Sequence, residues 1–110
     1  MGDNLEKISA QMRKGILEYV ILMIIDSGDV YSSDILKMLK ENNLIVVEGT
    51  LYPLLSRLRK ESIITYFWVE SSSGPPRKYF KLTKEGKELL KTMNIVWTDL
   101  RDAVKNIGKK

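Results

Sequence analysis

Residues 48–61 read Glu48-Gly49-Thr50-Leu51-Tyr52-Pro53-Leu54-Leu55-Ser56-Arg57-Leu58-Arg59-Lys60-Glu61. Leu51, Leu54, Leu55 and Leu58 recur at steps of three and four, which places them on one side of an α-helix. Thr50, Tyr52, Pro53, Ser56 and Arg57 are left toward the other side. Pro53 lacks an amide hydrogen and belongs near a helix start, so the first residue of this helix stays open. One face packs on a core, and the other is polar, partly basic and free for a partner.

The sequence on either side says what that helix sits in. Ile63 to Glu70 (IITYFWVE) is β-branched and aromatic, the composition of a strand. Ser71 to Pro76 (SSSGPP) reads as a loop, and Arg77 to Leu82 (RKYFKL) as a returning strand. The result is a hairpin with a basic rim. Upstream, Leu5, Ile8, Met12, Ile16, Tyr19 and Met23 form the stripe of one amphipathic helix, stopped at Ser27-Gly28-Asp29. A second helix follows, capped by Ser32 or Ser33, with Ile35, Leu36, Met38 and Leu39 inward and Asn42-Asn43 at its end. Leu44 to Val47 is a brief strand or an extended connector.

Thr83 caps a last helix, with Glu85 in its first turn. Leu89, Met93, Val96, Leu100, Ala103 and Ile107 alternate steps of four and three, the period of a coiled-coil seam. Leu90, Trp97 and Val104 lie beside that row at steps of seven. Packing on its own domain explains such a face, but the helix runs beyond the core that the other elements close. Intermolecular packing is therefore expected. The fold class is mainly α with a small β-hairpin wing: a winged helix-turn-helix plus a long C-terminal dimerisation helix. Residues 1–82 would form the DNA-binding part, with a first helix that helps dimerise, and residues 83–110 the dimerisation helix.

Composition narrows the function. The 110 residues suffice for one domain, and they include neither cysteine nor histidine. Disulfides, thiolate metal sites and the commonest general base are excluded. Carboxylates are scattered, so neither an enzyme, nor a metal site, nor a cofactor is expected. The apolar run Ile16–Ile25 is interrupted by Glu18 and is about half the 20 residues a bilayer span needs, so no membrane role and a cytoplasmic location are expected. Net charge is +4, and all of the excess lies between Glu48 and Lys91, with nine Lys or Arg against five acids. The remainder carries nine of each sign. A solvated face explains many such runs, but a surface that faces phosphates requires one.

Residues 48–58, with Gly74-Pro75-Pro76-Arg77-Lys78-Tyr79-Phe80-Lys81-Leu82-Thr83-Lys84-Glu85-Gly86, resemble the signature of PadR-type transcriptional regulators. Arg13-Lys14-Gly15-Ile16-Leu17-Glu18 resembles the family's first helix, so the resemblance spans roughly residues 13–107. It implies a homodimeric repressor on double-stranded DNA with a pseudo-palindromic operator. The DNA-facing candidates on the helices are Ser33, Gly49, Thr50, Tyr52, Pro53, Ser56 and Arg57. Arg57 has a competing partner in Glu61, one turn on. In the wing the candidates are Arg77 and Lys78, while Trp68 reads as structural.

The single long last helix is similar to the family's short-chain, multidrug-sensing subgroup. There a tryptophan on that helix lines a flat pore at the dimer centre and stacks on aromatic drugs. Trp97 matches it, and its alternative role is a dimer-core anchor. Met12, Tyr19 and Met93 would be its neighbours. The subgroup's acidic residue four positions later is replaced by Arg101, which puts a preference for cationic ligands in doubt. A small aromatic ligand is the effector class implied. The alternative from another class is a winged-helix protein-interaction module without DNA affinity.

Overall fold

In the computed structural model, which describes residues 2–109, the chain runs α1 (Gly2–Arg13), α2 (Leu17–Asp26), β1 (Val30–Tyr31), α3 (Ser32–Glu41), α4 (Glu48–Lys60), β2 (Ile64–Ser71), β3 (Gly74–Leu82) and α5 (Lys84–Gly108). The leucine face of residues 48–61 organises the centre. Leu51, Leu55 and Leu58 of α4 are buried with Ile21, Leu22 and Ile25 of α2, Ile35 and Leu39 of α3, and Ile64, Phe80 and Leu82 of the sheet. Each fully buried side chain of this kind contributes roughly 1.5–3 kcal/mol. The outer face of α4 stays exposed from Glu48 to Thr50 and at Tyr52, Pro53, Ser56, Arg57, Arg59 and Lys60.

Several local expectations need correction. The amphipathic stripe at the N-terminus is two helices, not one, because the backbone turns at Lys14-Gly15-Ile16. Glycine in a helix interior costs about 0.5–1 kcal/mol, which makes position 15 a cheap place to break. The residue before α3 is Tyr31, so neither Ser32 nor Ser33 is its cap. Asp34, in the first turn, closes the helix start by accepting from the Tyr31 amide at 3.1 Å. Of the two readings open for Leu44 to Val47, the extended connector is the one observed, without strand pairing. Helix α4 begins at Glu48, which puts Pro53 in its second turn.

The hairpin is the larger surprise. Only Ser72 and Ser73 turn; Gly74, Pro75 and Pro76 belong to β3. The register is irregular between Val69, opposite Arg77, and Ser71, opposite Gly74. Prolines are tolerated at such a bulge, because the ladder there demands no amide donor. The sheet also has a third strand, in the order β1-β3-β2, with Val30 opposite Phe80 and Tyr31 opposite Tyr79.

Helices α3 and α4 end alike. Leu44 and Asn43 donate to the Leu39 and Lys40 carbonyls, and Ile63 and Ser62 to those of Leu58 and Arg59. Asn43 and Ser62 occupy the left-handed region, with φ of 61° and 62°, and so reverse the chain. The reversal after α4 delivers the Ile63 carbonyl to the start of α5. Thr83 donates its amide to that oxygen at 3.1 Å. Its hydroxyl reaches the Ser62 carbonyl at 2.6 Å and accepts from the Gly86 amide at 3.0 Å.

Gly86 is buried against the same carbonyl, and a Cβ there would lie 2.0 Å from the Ile63 oxygen. Neither group is the flexible end of a side chain, so backbone must move. Gly86→Ala is expected to destabilise the protein by about 2–3 kcal/mol, the upper range for overpacking. The measurement is chemical denaturation beside Lys87→Ala on the exposed face; equal stability of the two variants would refute the close docking.

Candidate nucleic-acid interface

Helical spacing brings Tyr52, Ser56 and Arg59 into one row on the outer face of α4, at i, i+4 and i+7. Beside them stands the inner face of the hairpin. The pairing sets Tyr66 opposite Phe80 and Trp68 opposite Lys78, so these four share a face. Phe80 is buried in the core, while Lys78 and Tyr66 are half-buried farther out. The two rows meet in a cleft of about 290 Å³ lined by Ser32, Tyr52, Ser56, Arg59, Lys78 and Phe80. The Ser32 and Tyr52 hydroxyls lie 3.3 Å apart. The Arg59 guanidinium sits 4.4 Å from the centre of the Tyr66 ring, and the Lys78 ammonium 4.3 Å. Such contacts contribute about 0.5–1 kcal/mol each at exposed sites.

Arg77 takes the other face of the wing. Its guanidinium donates to the Tyr31 hydroxyl at 3.1 Å and lies 4.9 Å from that ring. Tyr31 meets Tyr79 edge-on, and Tyr79 stacks on Phe67. The two adjacent wing cations therefore serve opposite sides of the sheet.

Arg57 is held by protein carboxylates. It donates to Glu18 of α2 at 2.8 Å and to Glu61 at 2.9 Å. The hydrogen bond to Glu18, then that to Glu61, raises its pKa further above the ordinary arginine value. This clamp ties α4 to α2 and leaves less of the charge for an outside anion. Thr50 and Gly49 lie exposed in the first turn of α4, and Ser33 in that of α3. A Cβ on Gly49 would meet nothing within 4 Å, so the fold itself does not need a glycine there. Val47 offers no side-chain cap, and the opening amides of α4 have no side-chain acceptor.

The structure adds three residues that the sequence reading missed: Ser32, Arg59 and Tyr66. Arg59 had a signal in its i, i+7 relation to Tyr52. Tyr66 had none, because its place depends on strand register. Trp68, taken as structural, is 62% exposed and meets Tyr66 edge-on at 6.2 Å. It lies beyond the reach of the core on the face it shares with Lys78.

The candidate effector residues fall around α5. Trp97 lies 6.4 Å from the Tyr19 ring of the same chain, and the Tyr19 hydroxyl donates to Asn94 at 2.5 Å. Leu5, Ile8 and Met12 of α1 and Trp97, Leu100 and Arg101 of α5 line an open, largely apolar groove of about 700 Å³. Met93 packs half-buried on the core instead. Beyond it the apolar row of α5 is exposed, as far as Ile107 at 80%. Among the described residues there is no cluster of His, Cys, Asp or Glu that suits a metal, and no helix long and apolar enough to cross a membrane.

Comparison with known proteins agrees with this architecture. The model of the transcriptional regulator PadR-like family matches residues 21–92. A PadR-like transcription factor from Bacteroides fragilis is 50% identical, with a TM-score of 0.75, and the match covers 92% of this chain and 98% of that one. A PadR-like transcriptional regulator from Bacillus cereus is 39% identical, with a TM-score of 0.83, over 91% of this chain and 98% of the other. The PadR protein of Bacillus subtilis, solved in complex with operator DNA, is 28% identical, with a TM-score of 0.66, over 73% of this chain and 46% of that one. The winged helix-turn-helix and the family match together lead to one conclusion: this chain belongs to the PadR-like family of transcriptional regulators.

Proposed function

We propose that this chain is a homodimeric, sequence-specific DNA-binding repressor that acts in the cytoplasm, relieved by a small aromatic effector. One observation carries the DNA-binding part: the exposed row Tyr52, Ser56 and Arg59 of α4 meets Lys78 of the wing in a single cationic cleft. Support comes from the Bacillus subtilis relative seen on operator DNA. In this reading α4 enters the major groove, where base edges offer a readable donor and acceptor pattern. Thr50, Tyr52, Pro53 and Ser56 face the groove. Gly49 leaves room for close approach, and Ser33, from α3, contacts the backbone. Lys78 and Arg77 contact phosphates from opposite faces of the wing. Arg57 contributes chiefly by holding α4 on α2.

Residues 1–82 serve as the DNA-reading part, and residues 83–110 as the helix that joins two copies. The exposed apolar row of α5 and the exposed Leu5, Ile8 and Met12 of α1 are the surfaces for that union. Two copies would set their α4 helices on successive major grooves, about 34–36 Å apart on a pseudo-palindrome. An aromatic ligand beside Trp97, Tyr19 and Met12 would act only by binding two arrangements of the heads unequally. Arg101 at the rim, paired with Asp102 at 3.2 Å, gives a cationic ligand no advantage over a neutral or anionic one. Met93, within the core-facing part of α5, would sense the ligand indirectly.

Mobility shifts with the gene's own upstream DNA test the central claim. Binding is expected to weaken by roughly a thousandfold between about 50 and 200 mM salt, as six or more phosphate contacts are lost to counterions. Salt-insensitive association, with no preference for that DNA, would favour the protein-interaction module instead. Replacing Lys78 by Gln should reduce the slope of log affinity against log salt by about one for each head.

The dimer has its own test. Leu100→Asp is expected to yield a folded monomer in sedimentation velocity, because it places a charge in the middle of the proposed seam. A dimer of undiminished stability would remove α5 from the interface. For the effector, a planar aromatic that quenches Trp97 fluorescence should also alter operator affinity, and Trp97→Ala should abolish both responses. An operator response that survives the substitution excludes Trp97 from the mechanism.

A further inference from the structure

We infer that Tyr66 is a positioning residue for DNA binding: its ring holds Arg59 of α4 and Lys78 of β3 together as one seat for a backbone phosphodiester. The inference rests on the DNA-binding reading and adds to it the group that makes two elements act as one site.

The geometry carries the argument. Arg59 and Lys78 come from different elements, yet both cationic centres lie within 4.4 Å of the centre of one ring. Two like charges gathered on a surface repel, so something must favour the gathering. The negative face of an aromatic ring does so. Neither cation forms an ion pair among the described residues, in contrast to Arg57, which has two carboxylates. No acid lines the cleft they share. What does line it is hydroxyl: Ser32, Tyr52 and Ser56, each able to donate to an anion's oxygen.

Tyr66 itself is well held. It is half-buried and packed against the core, with Trp68 edge-on at one side. Its cross-strand partner Phe80 is buried, and the Tyr66 ring packs against the same core. A long side chain already held on such a platform loses less freedom when it meets a phosphate. The ring therefore lowers the entropic cost of two contacts at once. A phosphodiester is the anion that fits, because a duplex presents phosphates at a regular spacing along its backbone.

The test uses the full-length protein and a duplex carrying its upstream sequence, across a series of salt concentrations. Tyr66→Phe keeps the ring face and is expected to bind as the wild type does. Tyr66→Leu removes the face and is expected to cost about tenfold in affinity near 0.15 M salt, with a shallower salt slope. Lys78→Gln should weaken the wild type clearly but add little in the Tyr66→Leu background, since the seat is already lost. Stepwise fluorination of a phenylalanine introduced at position 66 removes the negative face while keeping the ring's shape. This series guards against a leucine variant that fails to fold. Affinity should fall with each added fluorine. If the fluorinated series binds equally well, or a folded Tyr66→Leu protein keeps its affinity and slope, the ring does not position the cations. A wild-type protein without salt-dependent DNA binding would instead overturn the DNA-binding reading, and the seat with it.

Discussion

Burial of Ile64, Phe80 and Leu82 on one face of the hairpin is the constraint on which the site depends. Side chains alternate along a strand, so burying these three fixes the face of every other residue in β2 and β3. Tyr66, Trp68 and Lys78 follow on the same face, beyond the edge of the core and beside α4. Thr65, Phe67, Val69, Arg77 and Tyr79 go to the other. A slip of one residue would exchange Lys78 for Arg77 at the cleft and bring Lys81 into the core. The apolar core therefore specifies where the charges stand, although it contains no charge itself.

The same logic governs α4. Leu51, Leu55 and Leu58 are buried, so Tyr52, Ser56 and Arg59 must be outward. Arg57 then reaches Glu18 of α2 from the side, with Glu61 one turn on at the end of α4 itself. Exposed pairs of this kind contribute little energy, at most about 1 kcal/mol. Their value here is directional: they remove one arginine from the outer row and leave Arg59 as the cation that meets the wing.

Much of this was legible in the sequence because it rests on periodicity. The leucine face of α4, the outward placement of Thr50, Tyr52 and Ser56, the β-branched strand at Ile63–Glu70 and the Thr83 cap are local patterns with local causes. What escaped depends on contacts distant in sequence. A two-residue strand at Val30-Tyr31 has no pattern of its own and exists because β3 offers it an edge. Ser71 to Pro76 looked like a loop because proline usually ends a strand, and the bulge that admits Pro75 and Pro76 is visible only in the paired register. Tyr66 was silent for the same reason. Arg59 was legible and overlooked: counting seven residues on from Tyr52 finds it. The break at Gly15 lay inside a continuous apolar stripe, and periodicity alone does not report where a backbone turns.

The apolar row of α5 shows how far one domain can go in using its own sequence. Leu89, Leu90 and Met93 pack on the core, and the helix then continues past it. At 1.5 Å per residue, its 25 residues span roughly 38 Å, much of it beyond any surface that the head offers. From Val96 onward the same seven-residue pattern is therefore largely exposed, although Trp97 still meets Tyr19 of the head. Helix α1 is in the same position: Leu5 is 69% exposed along the groove that the two helices share. This apolar seam, continued beyond the core of its own domain, is the surface that the proposed dimer would use. Trp97 and Arg101, in the wall of that groove, lie only one to two turns of helix from Met93, which packs on the head. In the proposed mechanism, that short span would link occupancy of the groove to the placement of the cleft between α4 and the wing.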